Sequence, residues 1–306
     1  MHSRFLIIIA GPTAVGKTDT AIRLARHYGT EIINADSRQV YREMKTGTAV
    51  PSEKQLAQVK HHLVGHRSIH QNYNASLFEL EAIDILDNLF AHHHVVILAG
   101  GSGMYIEAVC HGIDDIPSID PEIRDRLRRE FLENGLAGIR ARLLSADPEY
   151  YKKADLNNPK RILKALEISQ MTGRPYSTFL TGRAKERSFI PLRIGLDIPR
   201  AELHDNINRR VDSMIAQGLV EEARGLFAYR ELNALNTVGY KELFEYFENK
   251  CSLDEAVKKI KDHTRQYARR QLTWFRKQKD TKWFLPGEDE LMLNFVNESV
   301  ARYEKP

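Results

Sequence analysis

The sequence has few of the residues and segments that define several large protein classes. Its 306 residues include two cysteines, Cys110 and Cys251, which lie far apart without a partner His or Cys at metal-site spacing. The His61-His62 pair has no third ligand at such a spacing either. No apolar run approaches the length of a membrane span. We therefore predict a globular cytoplasmic protein with free thiols, no disulfide framework and no membrane contact.

The sequence also lacks a strong excess of one charge. The formal net charge is only +4, and the hydrophobic content of 42% and charged content of 28% are ordinary for a globular protein. Any affinity for nucleic acid must therefore come from a local basic patch. The apolar stretch at residues 5–10 does not form a cleavable signal pattern and is predicted to be a strand.

The segment after this stretch has the pattern of a phosphate-binding loop. Four residues separate Gly11 from Gly16, and Lys-Thr follows, between a predicted strand and a predicted helix. Such a loop turns backbone N–H groups toward one anion, and the helix N-terminus adds its dipole. Lys17 can reach terminal phosphoryl oxygens, and the Thr18 hydroxyl can bind Mg²⁺ or phosphate. The alternative is a glycine-rich tight turn. We predict that a diphosphate or triphosphate binds to the loop residues Gly11, Pro12, Thr13, Ala14, Val15, Gly16, Lys17 and Thr18.

Strands and helices alternate in the first third of the chain. Residues 31–35 and 94–99 are predicted strands, and residues 76–90 have the apolar spacing of a helix. Residues 192–198 have the pattern of a strand that returns to the same sheet. Together with a phosphate loop after the first strand, this predicts an α/β fold with a parallel, doubly wound sheet. At its carboxyl edge three segments should meet, namely residues 11–18, 36–37 and 100–103.

The middle of the chain has a different composition, without a convincing strand. Asp120, Asp147 and Asn158 are each followed by a proline, which is typical of helix starts. The simplest organisation is a core domain of residues 1–113 and 190–306 that is interrupted by a helical insertion of residues 114–189.

Asp36 follows the second predicted strand, where its carboxylate would lie beside the phosphate loop. It could accept a proton in a reaction or cap the next helix, and the sequence leaves both roles open. The third predicted strand ends at Gly100 without an acidic residue, so the carboxylate that holds Mg²⁺ in nucleotide hydrolases is missing there. This disfavours an ATPase. The Gly100–Gly103 run fits either a tight turn or the close approach of a bulky group.

A basic stripe marks the C-terminal part of the chain. Its cations share one broad helical face, with Tyr267 and Trp274 nearby: Lys258, Lys261, Arg265, Arg269 and Arg276. Most charged helical faces are only solvated, but few acidic residues interrupt this one, which favours contact with a phosphate backbone. A second basic group begins the third helix of the insertion, where it could bind phosphate or a base: Lys160, Arg161 and Lys164.

Together these segments resemble the bacterial tRNA dimethylallyltransferases, also called tRNA isopentenyltransferases, over nearly the whole chain. The resemblance rests on nine motifs in order: residues 11–18, 36–41, 47–51, 61–63, 100–105, 159–167, 210–214, 238–242 and 264–276. It implies a core with a parallel sheet like that of the P-loop nucleotide kinases, and a helical insertion that binds tRNA. It also implies transfer of a dimethylallyl group from dimethylallyl diphosphate to the exocyclic amine of adenosine 37 in the tRNA anticodon stem-loop, with Mg²⁺ as cofactor. We expect the protein to be a monomer.

The resemblance further implies roles for individual residues. Asp36 corresponds to the general base, Thr13 to a residue near the bridging oxygen of the donor, and Arg210 to a diphosphate ligand beside Lys17 and Thr18. The catalytic residues are then Asp36, Thr13 and Arg210, and Thr18 is the metal ligand. The implied tRNA contacts are Asp36, Ser37, Arg38, Gln39, Ser102, Arg124, Lys160, Arg161, Lys164, Gly239, Lys241, Arg265, Arg269, Gln271, Trp274, Arg276 and Lys277.

Three positions depart from the family pattern. Ser102 stands where threonine is common, and Lys164 stands where arginine is common. These changes preserve a hydroxyl and a charge, although lysine lacks the bidentate fork of arginine. Val50 replaces a lysine of the Gly-Thr-Ala-Lys-Pro motif, so any contact of that lysine is missing.

Two other functions would use some of the same features. A P-loop nucleoside or nucleotide kinase would bind ATP in the loop and would use the basic helix as a lid. A prenyltransferase that acts on free AMP would need no tRNA surface. The helical insertion and the basic stripe favour tRNA as the acceptor.

Overall fold

Two compact units make up the chain in the computed structural model, which describes residues 3–114, 116–117 and 120–303. The first, here called the core unit, comprises Met1–His111 and Glu186–Pro306, and the second, the inserted unit, comprises Gly112–Lys185. The core unit contains two clusters of buried apolar side chains, and the inserted unit contains a third.

A six-stranded sheet forms the centre of the core unit. Its strands are β1 (Phe5–Ala10), β2 (Ile32–Asn34), β3 (His61–His62), β4 (Val95–Gly100), β5 (Ile190–Leu196) and β6 (Lys282–Phe284). Their order in the sheet is β3-β2-β4-β1-β5-β6, and every pair runs parallel. The predicted α/β fold with a parallel sheet is therefore confirmed.

The central strand, β1, is apolar throughout because helices cover both faces of the sheet. All six of its residues are buried. Leu6 and Ile8 join one apolar cluster. Phe5, Ile7 and Ile9 join the other cluster, on the opposite face. Consecutive side chains of a strand point to opposite faces, so this single run anchors both cores.

Helices account for most of the remaining described residues. In chain order they are α1 (Lys17–Tyr28), α2 (Glu53–Leu56), α3 (Ala75–Leu89), α4 (Gly103–His111), α5 (Pro121–Ala146), α6 (Pro148–Lys153), α7 (Pro159–Thr172), α8 (Arg200–Ala216), α9 (Leu219–Leu226), α10 (Tyr240–Phe247), α11 (Leu253–Phe275) and α12 (Asp289–Tyr303). The predicted helix of residues 76–90 is α3. None of the described helices combines the length and apolar character needed to cross a membrane.

The inserted unit is built from α5, α6 and α7, with a short 3₁₀ turn at Tyr176–Phe179. Its helix starts agree with the sequence, because the side chains of Asp120, Asp147 and Asn158 each accept a hydrogen bond from a backbone N–H in the first turn. The interruption of α5 was not predicted. It occurs at Gly135, whose φ of 63° is not helical.

The two edge strands, β3 and β6, were also not predicted. They have only two and three residues, too few to show an alternating pattern. The strand predicted at residues 192–198 is β5, which begins slightly earlier, at Ile190. Its Arg193 is buried, with ion pairs of 2.9 Å to Glu107 and 3.0 Å to Asp280.

Candidate active site

The predicted phosphate loop connects the carboxyl end of β1 to the first turn of α1. Gly16 has a φ of 100°, which side chains rarely permit, and it directly precedes α1. Gly11 has no room for a side chain, since a Cβ atom there would lie 2.7 Å from the carbonyl oxygen of Leu196. The loop therefore has the geometry in which backbone N–H groups and a helix N-terminus can face an anion.

Three charged groups lie together beside this loop. The Lys17 ammonium donates a 2.7 Å hydrogen bond to the carbonyl oxygen of Pro12. Burial and the nearby charge of Arg210 lower the pKa of Lys17 to about 7, while Asp36 acts in the opposite direction. Burial also lowers the pKa of Arg210, again opposed by Asp36. Within the described chain the Arg210 guanidinium has no hydrogen bond or ion pair, so its donors are available to a ligand.

Asp36 serves as a cap and also lines the pocket beside the loop. Its Oδ1 atom accepts hydrogen bonds from the backbone N–H of Arg38, at 2.8 Å, and of Gln39, at 3.3 Å. Among the described residues no hydrogen bond reaches Oδ2. The next residue, Ser37, donates its N–H to the Ser102 hydroxyl at 2.9 Å. The turn that follows β2 is thus fixed by one carboxylate oxygen, and the other oxygen remains free for a substrate.

The glycine run after β4 admits two bulky side chains from α11. A Cβ at Gly101 would collide with the Gln271 amide, and a Cβ at Gly103 would collide with the Trp274 indole. Of the two interpretations of this run, the close approach of bulky groups is confirmed. Gln271 is buried, whereas Trp274 is 42% exposed beside Gly103.

A pocket of about 790 Å³ opens at this edge of the sheet, entirely within the core unit. Its volume is typical of a site for a small molecule. The structure brings together here thirteen of the residues proposed from sequence: Thr13, Ala14, Gly16, Lys17, Thr18, Asp36, Ser37, Arg38, Gln39, Arg210, Gly239, Lys241 and Gln271. The other loop residues, Gly11, Pro12 and Val15, are buried behind it.

The remaining proposed residues lie outside the pocket lining. In the core unit these are Ser102, Arg265, Arg269, Trp274, Arg276 and Lys277. In the inserted unit they are Arg124, Lys160, Arg161 and Lys164.

Several cations of the basic stripe already have partners within the protein. Arg265 binds Asp262 and Asn208, at 2.5 and 2.6 Å. Arg276 binds Asp197 at 2.6 Å, so these two guanidinium groups are partly neutralised. By contrast, the exposed side chains of Arg269 and Lys277 have no hydrogen bond or ion pair within the described residues.

Arg38 is also engaged inside the core unit. Its guanidinium donates to the carbonyl oxygens of Asn233 and Ala234, at 2.9 and 3.0 Å, and to Asn236 at 3.5 Å. These bonds hold the segment before Gly239 against the turn after β2, so Arg38 shapes the pocket wall.

The basic residues of the inserted unit also include some that have partners within the protein and some that have none among the described residues. Arg124 pairs with the nearly buried carboxylate of Glu167 at 3.3 Å. Burial lowers the pKa of Lys164, although Glu167 opposes that effect. Lys160 and Arg161 are exposed at the start of α7, and their side chains have no partner among the described residues.

Sequence reasoning missed several pocket residues. His263 and Tyr267 line the pocket together with Gln271, at intervals of four residues on one face of α11. The four-residue spacing of these polar and aromatic side chains is the sequence signal that could have identified them. His61 lines the pocket too, and burial lowers its pKa, so the neutral ring is favoured there.

A second loop, residues 45–51, forms another wall of the pocket and is hydrogen-bonded to a side chain of α9. The Glu222 carboxylate accepts hydrogen bonds from the backbone N–H groups of Lys45, Thr46 and Gly47, at 2.8 to 3.0 Å. It also accepts the Tyr240 hydroxyl at 2.7 Å. Four donors thus converge on one carboxylate and define the position of this loop.

The donor set for a metal ion is sparse. Within the described residues no group of three or more His, Cys, Asp or Glu side chains is arranged to hold one. The Thr18 hydroxyl lines the pocket at the start of α1 and makes no hydrogen bond within the described chain. A hydroxyl oxygen at this place fits Mg²⁺, which takes oxygen ligands and fills much of its coordination with waters and phosphate oxygens.

The loop after β1, the parallel sheet and the adjoining pocket define the class of P-loop α/β proteins. Residues 39–278 match the family model described as IPP transferase. The chain is 49% identical to tRNA dimethylallyltransferase 1 of Bacteroides fragilis, over 98% of its length and 100% of that relative. It is 52% identical to the tRNA dimethylallyltransferase of Christiangramia forsetii, over 92% and 93% of the two chains. The chain belongs to the IPP transferase family, and it is a prenyltransferase.

Solved structures agree with this assignment. The full-length tRNA isopentenylpyrophosphate transferase of Bacillus halodurans superposes with a TM-score of 0.72 at 32% identity, covering 98% of each chain. A eukaryotic dimethylallyltransferase that was determined acting on tRNA superposes with a TM-score of 0.77 at 25% identity, over 92% of this chain and 74% of that one. The predicted family is therefore confirmed.

Proposed function

We propose that the protein transfers a dimethylallyl group from dimethylallyl diphosphate to the exocyclic amine of adenosine 37 in tRNA. The observation that carries this proposal is one pocket in which a phosphate loop, Arg210 and the Asp36 carboxylate meet. The products are N⁶-isopentenyladenosine and diphosphate. We propose that it acts as a monomer in the cytoplasm on the anticodon stem-loop.

The phosphate loop and its cations stabilise the leaving group. Negative charge grows on the diphosphate as its bond to the allylic carbon breaks, and preorganised donors lower the energy of that state. The loop N–H groups, Lys17 and the unpaired Arg210 guanidinium supply these donors. Thr13, at the start of the loop, is suited to contact the bridging oxygen. The proposed Mg²⁺, with Thr18 as its protein ligand, would add positive charge to the diphosphate oxygens.

Asp36 takes the proton from the acceptor. An adenine amine is a weak nucleophile, so a carboxylate that accepts its proton as the C–N bond forms accelerates the reaction. The free Oδ2 atom of Asp36 suits this role, because capping by Oδ1 fixes the side chain. The adenosine must leave its stack to enter the pocket, as in other enzymes that modify bases.

The exposed cations bind the acceptor tRNA. Arg269 of the basic stripe and the adjacent cation Lys277, both near Trp274, are exposed, and their side chains have no ion pair among the described residues. In the basic group of the inserted unit, the exposed side chains of Lys160 and Arg161 have no ion pair among the described residues. Phosphate contacts from such residues would supply affinity and orientation, and an exposed indole can stack on a base.

The decisive experiment supplies each substrate of the competing functions. The purified protein, with Mg²⁺ and dimethylallyl diphosphate, is given an unmodified tRNA anticodon stem-loop, and its nucleosides are analysed by mass spectrometry. We expect prenylated adenosine and no consumption of added ATP. Phosphoryl transfer from ATP to a nucleoside would identify a kinase instead. Efficient prenylation of free AMP, without reaction on tRNA, would identify the other alternative.

A further inference from the structure

The side-chain amide of Gln271 joins two parts of the pocket to α11. Its Oε1 atom accepts a 2.9 Å hydrogen bond from the backbone N–H of Thr13, in the phosphate loop. Its Nε2 atom donates a 2.9 Å hydrogen bond to the carbonyl oxygen of Gly101, in the glycine run after β4. The residue is only 6% exposed, so water has little access to replace either bond.

The position requires a side chain that donates and accepts at the same time. A carboxamide does both within one planar group. A carboxylate would place an acceptor against the Gly101 carbonyl, and an aliphatic chain would leave the Thr13 N–H without a partner. The neighbouring glycine is part of this arrangement, because a Cβ at Gly101 would collide with the Gln271 amide nitrogen.

The contact also links the loop to the helix that presents the exposed cations. Trp274 follows Gln271 by three residues and packs on Gly103, so α11 contacts the glycine run at two successive points. Arg269 is exposed on the same helix. The diphosphate loop and the proposed tRNA surface are therefore attached to one rigid element.

We infer that Gln271 is a positioning residue of the donor site, which acts through Thr13 by holding the phosphate loop in its anion-binding shape. Both polar groups of its amide are used within the protein, one by the Thr13 N–H and the other by the Gly101 carbonyl. This role rests on the proposed binding of diphosphate to the loop. It differs from the tRNA contact that the family resemblance implies for the same residue.

The test measures diphosphate and tRNA binding separately. Inorganic diphosphate with Mg²⁺ is titrated calorimetrically into the unsubstituted full-length protein and into Gln271→Leu. We expect the dissociation constant for diphosphate to rise about tenfold in the variant, as for a buried donor that loses its partner. In filter binding without donor, the affinity for an anticodon stem-loop should change less than about twofold.

Gly101→Ala provides a second route to the same effect without a substitution in α11. The added methyl group would occupy the space of the Gln271 amide and displace it. Its control is Gly225→Ala, since Gly225 lies within α9 and a Cβ there meets no atom within 4 Å. Gly101→Ala should weaken diphosphate binding like Gln271→Leu, and Gly225→Ala should leave it unchanged. Should Gln271→Leu fail to fold by circular dichroism, Gly101→Ala decides the question.

Unchanged diphosphate affinity in the folded variants, or a loss confined to tRNA affinity, overturns the positioning role. Failure of the unsubstituted protein to bind diphosphate at all has a different meaning, because it overturns the proposed function rather than the role of Gln271. In turnover assays the positioning role predicts a raised KM for the donor with little change in the KM for tRNA.

Discussion

The ammonium group of Lys17 hydrogen-bonds to the carbonyl oxygen of Pro12 at 2.7 Å, so the lysine bridges the loop that we propose as the diphosphate site. Burial and the charge of Arg210 lower its pKa to about 7. Around neutral pH a substantial share of Lys17 is therefore uncharged in the free protein. A bound diphosphate would favour the charged form and would raise this pKa again.

Diphosphate binding at pH 8 is therefore expected to take up a proton at Lys17. The free lysine is largely deprotonated at this pH, whereas the bound one is protonated, so affinity should fall as the pH rises above about 7. Calorimetry in buffers with different ionisation enthalpies measures the proton count. Lys17→Arg is the matched control, because arginine stays charged and leaves only the titration of the ligand. Equal proton counts for the two proteins would contradict the prediction.

Asp36→Asn should lower turnover by about 10²–10⁴-fold with the fold intact. The asparagine side-chain oxygen can still cap the N–H groups of Arg38 and Gln39, but it cannot accept the proton of the amine. Single-turnover kinetics with tRNA measure the effect. Asp289→Asn is a suitable control, because it removes only a partly exposed carboxylate that pairs with Arg23. A near-normal rate in folded Asp36→Asn would leave this residue as a cap alone.

The salt dependence of tRNA binding should separate the free cations from the paired ones. Replacing Arg269 and Lys277 by glutamine should flatten the log–log slope by up to roughly two units, because each lost phosphate contact removes about one. The matched pair, Arg265 and Arg276, should have a smaller effect, since protein groups already hold both side chains. Fluorescence titrations of a labelled stem-loop at several salt concentrations provide the slopes. Identical slopes in all three proteins would show that the stripe is only solvated.

Glu222→Gln should lower the free energy of unfolding by about 1–3 kcal/mol. Its amide nitrogen would face donors where the carboxylate now accepts from Lys45, Thr46, Gly47 and Tyr240. Chemical denaturation measures the change. The neighbouring Glu221 is exposed, and Glu221→Gln should be nearly neutral. Equal stability of the two variants would mean that the loop is held by other contacts.

Local features of the chain were predictable from the sequence. The phosphate loop could be recognised because the apolar strand, Gly11, Gly16 and the helix start all lie within a short window. The helix starts at Asp120 and Asn158 could be recognised for the same reason, since a cap and a proline are adjacent residues.

Contacts between distant segments were not predictable in this way. The partner of Thr13 is Gln271, which lies 258 residues further along the chain. The sequence shows Arg276 as part of a basic stripe, but its guanidinium is paired with Asp197, on a segment 79 residues away. Charge spacing along a helix indicates a shared face, but it contains no information about which acids another element brings to it.

The position of β1 in the sheet has a consequence for how the protein is made. Phe5 lies opposite Val95 on one side and Ile190 on the other, so β1 gains its second neighbour in the sheet only after residue 190 has been made. At about 5–20 residues per second, this apolar strand waits many seconds for its second neighbour. A product that ends before residue 190 would keep an open apolar strand edge, which readily pairs with other chains. Interrupted translation should therefore yield aggregates rather than a smaller working enzyme.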